Sequence, residues 1–138
     1  MNYLGTIIAE SLIDQSILTD QSILTDHPLP GSPSSRALTI LSTKVESVTP
    51  RHRTPWLRQW TLHKVAIPAD RADAVAARLS AALQPGYWYA DYKNEEYHYI
   101  VYPGRIFKVD RARPTLYPAV RAYGIALGIP EYQVDFRR

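Results

Sequence analysis

The 138-residue chain contains no cysteine. That excludes a disulfide framework, a thiolate nucleophile, an iron-sulfur cluster and a cysteine-ligated zinc, and it leaves the redox compartment open. No apolar run approaches the roughly 18 to 20 residues that a membrane-spanning helix needs. Residues 1–35 hold no Lys or Arg, Arg36 being the first, so a soluble cytoplasmic protein is the expectation. Also missing are the Gly-rich phosphate and dinucleotide loops, the Gly-x-Ser-x-Gly nucleophile elbow and the His-Glu-x-x-His zinc helix. No cofactor, metal ligand or catalytic residue is therefore assigned, and no contact with a membrane is expected.

What is present fits one core. At this length, folding buries about two thirds of the surface of the unfolded chain, and 46% of the residues are hydrophobic. Charge divides the chain. Residues 1–35 carry Glu10, Asp14, Asp20 and Asp26, whereas all 16 basic residues and the nine other acids lie beyond, leaving +7 on residues 36–138. Such a balance favours an anionic partner. The organisation read from this is an acidic N-terminal arm, 1–35, and a single domain, 36–138. The arm contains a direct repeat, Asp-Gln-Ser-Ile-Leu-Thr at 14–19 and again at 20–25, and the Pro- and Ser-rich linker His27–Ser35. The repeat reads as a local duplication in a tolerant connection.

Periodicity supplies the elements. Leu4, Ile7, Ile8 and Leu12 lie at helical spacing and predict a short helix over 3–13. Ala37–Val48 and Thr61–Ile67 read as strands, the second stopped by Pro68. Asp70 is placed to cap a helix whose stripe is Ala72, Val75, Ala76, Leu79, Ala82 and Leu83, with Pro85-Gly86 as its stop. Three aromatic-rich strands follow, Tyr87–Lys93, Glu96–Tyr102 and Arg105–Asp110. A helix over Leu116–Leu127 tolerates Pro118 in its first turn and ends at Gly128, and Tyr132–Phe136 could add an edge strand. This order predicts an α+β fold: a mainly antiparallel sheet with two helices on one face, a ferredoxin-like or split βαβ variant.

Two places carry candidate chemistry. A turn at Asn94-Glu95 pairs Asp91 with His98, Tyr89 with Ile100 and Tyr87 with Tyr102, and the Pro103-Gly104 turn sets Arg105, Phe107 and Val109 beside Tyr102, Ile100 and His98. A carboxylate beside an imidazole fixes its tautomer and serves general-base chemistry when a third group is near; equally, it is an ordinary cross-strand polar pair. His63 could join His98 only if their strands are neighbours. The second place is the acid-free run Arg51–Lys64, where Arg51, Arg53 and Arg58 alternate with Trp56, Trp60 and His63. Cations among tryptophans suit an anionic ligand with an aromatic ring, or phosphates and stacked bases. The same tryptophans could instead anchor the link to the core.

The stretches Tyr-Leu-Gly-Thr-Ile-Ile-Ala-Glu-Ser-Leu12, Thr-Pro-Trp-Leu-Arg-Gln-Trp-Thr-Leu-His63, Trp-Tyr-Ala-Asp-Tyr-Lys-Asn94 and Leu-Gly-Ile-Pro-Glu-Tyr-Gln-Val-Asp-Phe136 resemble a family of small uncharacterised prokaryotic proteins. The resemblance spans most of residues 1–13 and 37–136 and leaves out the repeat and the linker. It implies a free-standing intracellular domain and carries no site residues. The leading expectation is a non-enzymatic domain binding an anionic small molecule or protein partner. Alternatives are a nucleic-acid-binding protein, a small enzyme using Asp91 and His98, and a homodimer swapped through the N-terminal arm.

Overall fold

Six segments rich in β-branched and aromatic residues adopt extended backbone in the computed structural model, which describes residues 2–13, 16–19, 38–50, 54, 56–134 and 136. They are β1 (Tyr3–Ile8), β2 (Thr39–Ser47), β3 (Gln59–Ile67), β4 (Ala90–Lys93), β5 (Tyr97–Tyr102) and β6 (Arg105–Asp110). Between and after them lie α1 (Ser16–Thr19), α2 (Ala72–Ala82) and α3 (Tyr117–Ala126). The strands form one sheet in the order β2-β3-β1-β4-β5-β6. Every neighbouring pair is antiparallel. The α+β class with an antiparallel sheet is thus as the sequence predicts. The second copy of the repeat and the linker lie outside the described residues.

The helix expected over 3–13 is strand β1, in the middle of the sheet, followed by a 3-10 turn at Ala9–Ser11. Thr6, Ile7 and Ile8 are β-branched and disfavour a helix, and the strand they make fills the gap between β3 and β4. Gly5 is what allows it to fit. Opposite Tyr92 in the ladder, a Cβ at Gly5 would stand 2.0 Å from the Asp91 carbonyl oxygen and 2.5 Å from the Tyr92 Cβ. The Glu10 carboxylate then accepts hydrogen bonds from the Thr61 backbone N–H at 2.6 Å and the Thr61 hydroxyl at 2.8 Å. This acid, read as part of the acidic N-terminal arm, is clamped to β3.

β3, α2 and β4 make a split βαβ unit: both strands run antiparallel to β1, which lies between them, and so parallel to each other. The rest departs from a ferredoxin-like arrangement, because α3 follows the last strand and lies across the other face. Successive residues of β5 show this. Tyr99 and Val101 join a core containing Val75, Ala76 and Leu79 of α2, whereas Ile100 and Tyr102 join one containing Tyr117 and Val120 of α3. Side chains alternate along a strand, so the two helices cover opposite faces rather than one. The physical reason is that β5 is buried on both sides, His98 through Tyr102 all being buried, and such a run carries no inside-outside signal.

α2 and α3 are each tied to the sheet by a tyrosine. Tyr92 donates to the Ala72 carbonyl at 2.7 Å, and Tyr102 donates to the Val120 carbonyl at 2.8 Å. Val75 and Leu79 have no exposed surface, and burying each contributes about 1.5–3 kcal/mol. Asp70 sits in a 3-10 turn, Ala69–Arg71, before α2 instead of capping it. α3 ends as expected at Gly128, whose φ of 95° permits the closing bonds of Ile129 N–H to the Gly124 carbonyl and Gly128 N–H to the Ile125 carbonyl. The segment expected as an edge strand holds a 3-10 turn, Glu131–Gln133, and Val134 beyond it is fully buried in the second core.

Candidate functional site

The site develops from an incomplete cover. α3 and the segment after it protect β5 and β6, and among the described residues no helix lies over the same face of β2, β3, β1 and β4. Register brings residues from four strands together there. Thr6 lies opposite both Lys64 and Asp91, Leu62 opposite both Ile8 and Lys44, and Trp60 opposite Glu46. Cross-strand partners share a face, so all of these point to the uncovered side.

A cleft of about 300 Å³ opens on this face. Thr6, Ile8 and Leu62 make its floor, Trp60 and Tyr89 two of its walls, and the Glu46 and Asp91 carboxylates reach into it beside Gln133. An adjoining depression of about 190 Å³ shares Thr6 and Leu62 and adds Ser42, Lys44 and Lys64. The two therefore form one continuous trough, in which Lys44 Nζ lies 3.7 Å from Glu46 Oε1 and Lys64 and Asp91 flank Thr6 from opposite sides.

Asp91 is the best-fixed polar group in it. Its Oδ2 lies 2.7 Å from His98 Nε2, and His98 Nδ1 lies 2.8 Å from the Tyr117 hydroxyl. The His98 side chain is 2% exposed and that of Asp91 29% exposed, so the imidazole is internal and the carboxylate reaches the cleft. A neutral imidazole protonated at Nε2 satisfies both bonds, donating to Asp91 and accepting from Tyr117. Burial pushes the Tyr117 phenol upward, with Asp91 adding to the rise and Arg111 opposing it, which keeps the hydroxyl a donor. Phe136 packs edge-on against both His98 and Tyr89, at 5.6 and 5.4 Å between ring centres. Tyr89 in turn donates to the Gln133 carbonyl at 2.7 Å. The aromatic wall and the buried imidazole are thus parts of one packed unit.

The residues singled out from sequence divide. Asp91 and His98 come together, though not by the expected register: the backbone pairs Asp91 with Ile100 and Lys93 with His98. The turn is Glu95-Glu96, one position later, because Asn94 Oδ1 accepts the N–H groups of Glu96 and Tyr97 at 2.8 and 2.9 Å. That shifts the strands by two residues, and two residues preserve the face. The expected β5–β6 pairs are all present. Trp60 is buried and donates through Nε1 to Thr54 Oγ1 at 2.9 Å, with its ring 5.4 Å from Trp88; it anchors the link and lines the cleft. Trp56 is 65% exposed and Arg58 is exposed. His63 sits opposite Ile7, on the α2 face, with Nδ1 2.9 Å from Thr43 Oγ1, so it does not join His98. Arg51 and Arg53 lie outside the described residues. Sequence reasoning missed Thr6, Glu46, Leu62, Tyr89 and Tyr117. Tyr89 alone carried a signal, being two residues from Asp91 and so on its face.

Among the described residues no cluster of three His, Asp or Glu is placed to hold a metal ion, and no helix is long and apolar enough to cross a membrane. No protein-family model, curated protein or solved structure matches the chain.

Proposed function

We propose that this protein is a binding domain for a small polar molecule, held in the trough on the uncovered sheet face. The observation that carries the reading is Asp91, a carboxylate held by His98 and still open to the cleft. A carboxylate that has one side committed to a buried imidazole retains its other lone pairs for a ligand's donor. Lys64, across Thr6 from Asp91, suits an anionic group, and Trp60, Leu62 and Tyr89 supply apolar contact beside it. The ligand is accordingly bipolar, a zwitterion of amino-acid type, of a size suited to about 300 Å³.

The test is a thermal-shift and calorimetric panel of α-amino acids, monoamines and monocarboxylates. Molecules bearing both charges should raise the melting temperature, and Asp91→Asn and Lys64→Ala should each abolish the rise. Equal stabilisation by monocarboxylates alone, or no stabilisation by any of the three classes, would remove the reading.

A second reading rests on the Tyr117–His98–Asp91 chain itself. Such a chain fixes the orientation of the Asp91 carboxylate, so that its free oxygen is positioned to take a proton from a bound molecule as a general base. Mass spectrometry of ligand recovered after incubation separates the two: unaltered ligand favours binding, and alteration that stops in Asp91→Asn favours catalysis.

A further inference from the structure

β2 closes the sheet on one side, and among the described residues it pairs only with β3. Eight of its nine residues are exposed, including the apolar Ile40, Leu41 and Val45. A long open edge is a template for another strand unless a proline, bulge or inward charge interrupts it. The one irregularity lies between Ile40 and Ser42, and Ser42–Ser47 run in unbroken register with β3.

The direction of the free groups follows from one bond. Val48 N–H donates to the Arg58 carbonyl at 2.9 Å, continuing the register that pairs Ser47 with Gln59. In an antiparallel ladder the N–H and C=O of one residue point the same way and alternate along the strand. Val48, Glu46 and Lys44 therefore bond inward to β3, and Ser47, Val45 and Thr43 present N–H and C=O outward.

We infer that this edge is a homodimer interface, in which β2 pairs antiparallel with β2 of a second copy about a two-fold axis at Val45. Charge selects that register. An axis at Lys44 sets this residue against Lys44 of the partner subunit, and one at Glu46 sets two carboxylates together; both oppose like charges at close quarters. Lys44 Nζ lies 3.7 Å from Glu46 Oε1 on its own strand, and the axis at Val45 sets Glu46 of the partner subunit opposite Lys44 and Lys44 of the partner subunit opposite Glu46, joining the two pairs into one alternating network. The same axis lets Thr43, Val45 and Ser47 exchange their outward backbone bonds. An axis at Thr43 would run the pairing into the irregularity at Leu41. Because Glu46 lines the cleft, the dimer brings Lys44 of the partner subunit to its rim, and the two troughs lie on one continuous sheet face. The interface stands on the edge geometry and charge alone, independent of what the cleft binds.

Sedimentation equilibrium of the full chain over a series of loading concentrations tests it. A reversible monomer–dimer equilibrium is expected, with Lys44→Glu and Glu46→Lys each weakening it about tenfold through like-charge opposition. The double variant, Lys44→Glu with Glu46→Lys, should recover the original dissociation constant to within about threefold, since the pairs re-form with signs exchanged. A chain that is monomeric throughout, single variants that dimerise as well as the original, or a double variant that does not recover would each overturn the assignment.

Discussion

Asp91 reaches His98 diagonally across the β4–β5 hairpin, Oδ2 to Nε2 at 2.7 Å, although the backbone sets Asp91 opposite Ile100. The imidazole satisfies two partners at once, and one of them, the Tyr117 hydroxyl, is buried with it. Replacing His98 by Leu leaves that hydroxyl without its acceptor and should cost about 2–4 kcal/mol. Asp91→Asn, at a half-open position, should cost about 1 kcal/mol. Urea denaturation measures both, and a His98→Leu loss below that of Asp91→Asn would show that the histidine is not the centre of the unit.

Gly5 sits where the backbones of β1 and β4 approach most closely. Any side chain there meets the Asp91 carbonyl oxygen and Tyr92, and neither can move without parting the central strands. Gly5→Ala should therefore destabilise the protein by about 3 kcal/mol despite adding a single methyl group. A melting temperature equal to that of the original chain would contradict the close approach.

Burial raises the phenols of Tyr3, Tyr92, Tyr99, Tyr102 and Tyr117 above 10.0. For Tyr99 a hydrogen bond donated to Asp73 adds to the rise. In the unfolded chain each ionises near 10, so between that pH and the higher native values the folded form holds more protons. Stability from this source is complete below about pH 10 and falls as pH rises beyond it. The phenolate absorbance of these five tyrosines should appear only with the loss of tertiary circular dichroism. Ten tyrosines titrating together, with the fold intact, would be inconsistent with this core.

The two tryptophans of the link have opposite roles. Trp60→Phe removes the donor to Thr54, whose side chain is fully buried, and should cost about 1–2 kcal/mol. Trp56→Ala, at an exposed site, should change stability by less than about 0.5 kcal/mol. Denaturation followed by circular dichroism compares them, and equal losses would mean that the link is anchored by both.

Strands β2, β3, β5 and β6 and helices α2 and α3 were legible because local pattern and stop signals agree: Pro68 after β3, Pro103-Gly104 between β5 and β6, Gly128 after α3. β1 was not. Four apolar residues in a short span fit a helix as well as a strand, and only the gap between β3 and β4 decides between them. With β1 misread, Thr6 could not be placed beside Asp91, and the cleft was invisible. The diagonal Asp91–His98 bond survived an error of two residues in register because side-chain direction repeats at that interval. Tyr117 was out of reach for a different reason: nothing local says which face of the sheet α3 will cover.

The position of β1 also sets an order of events in folding. Its partners, Ile67 through Leu62 on one side and Asp91 through Lys93 on the other, are made long after it during synthesis. β1 therefore emerges from the ribosome well before its partners and waits unpaired until β3 and β4 have been made, and the split unit β3–α2–β4 cannot close its sheet until β1 returns to it. A topology with such distant partners folds slowly, and in the interval Ile7, which ends with no exposed surface, remains open to capture by other chains.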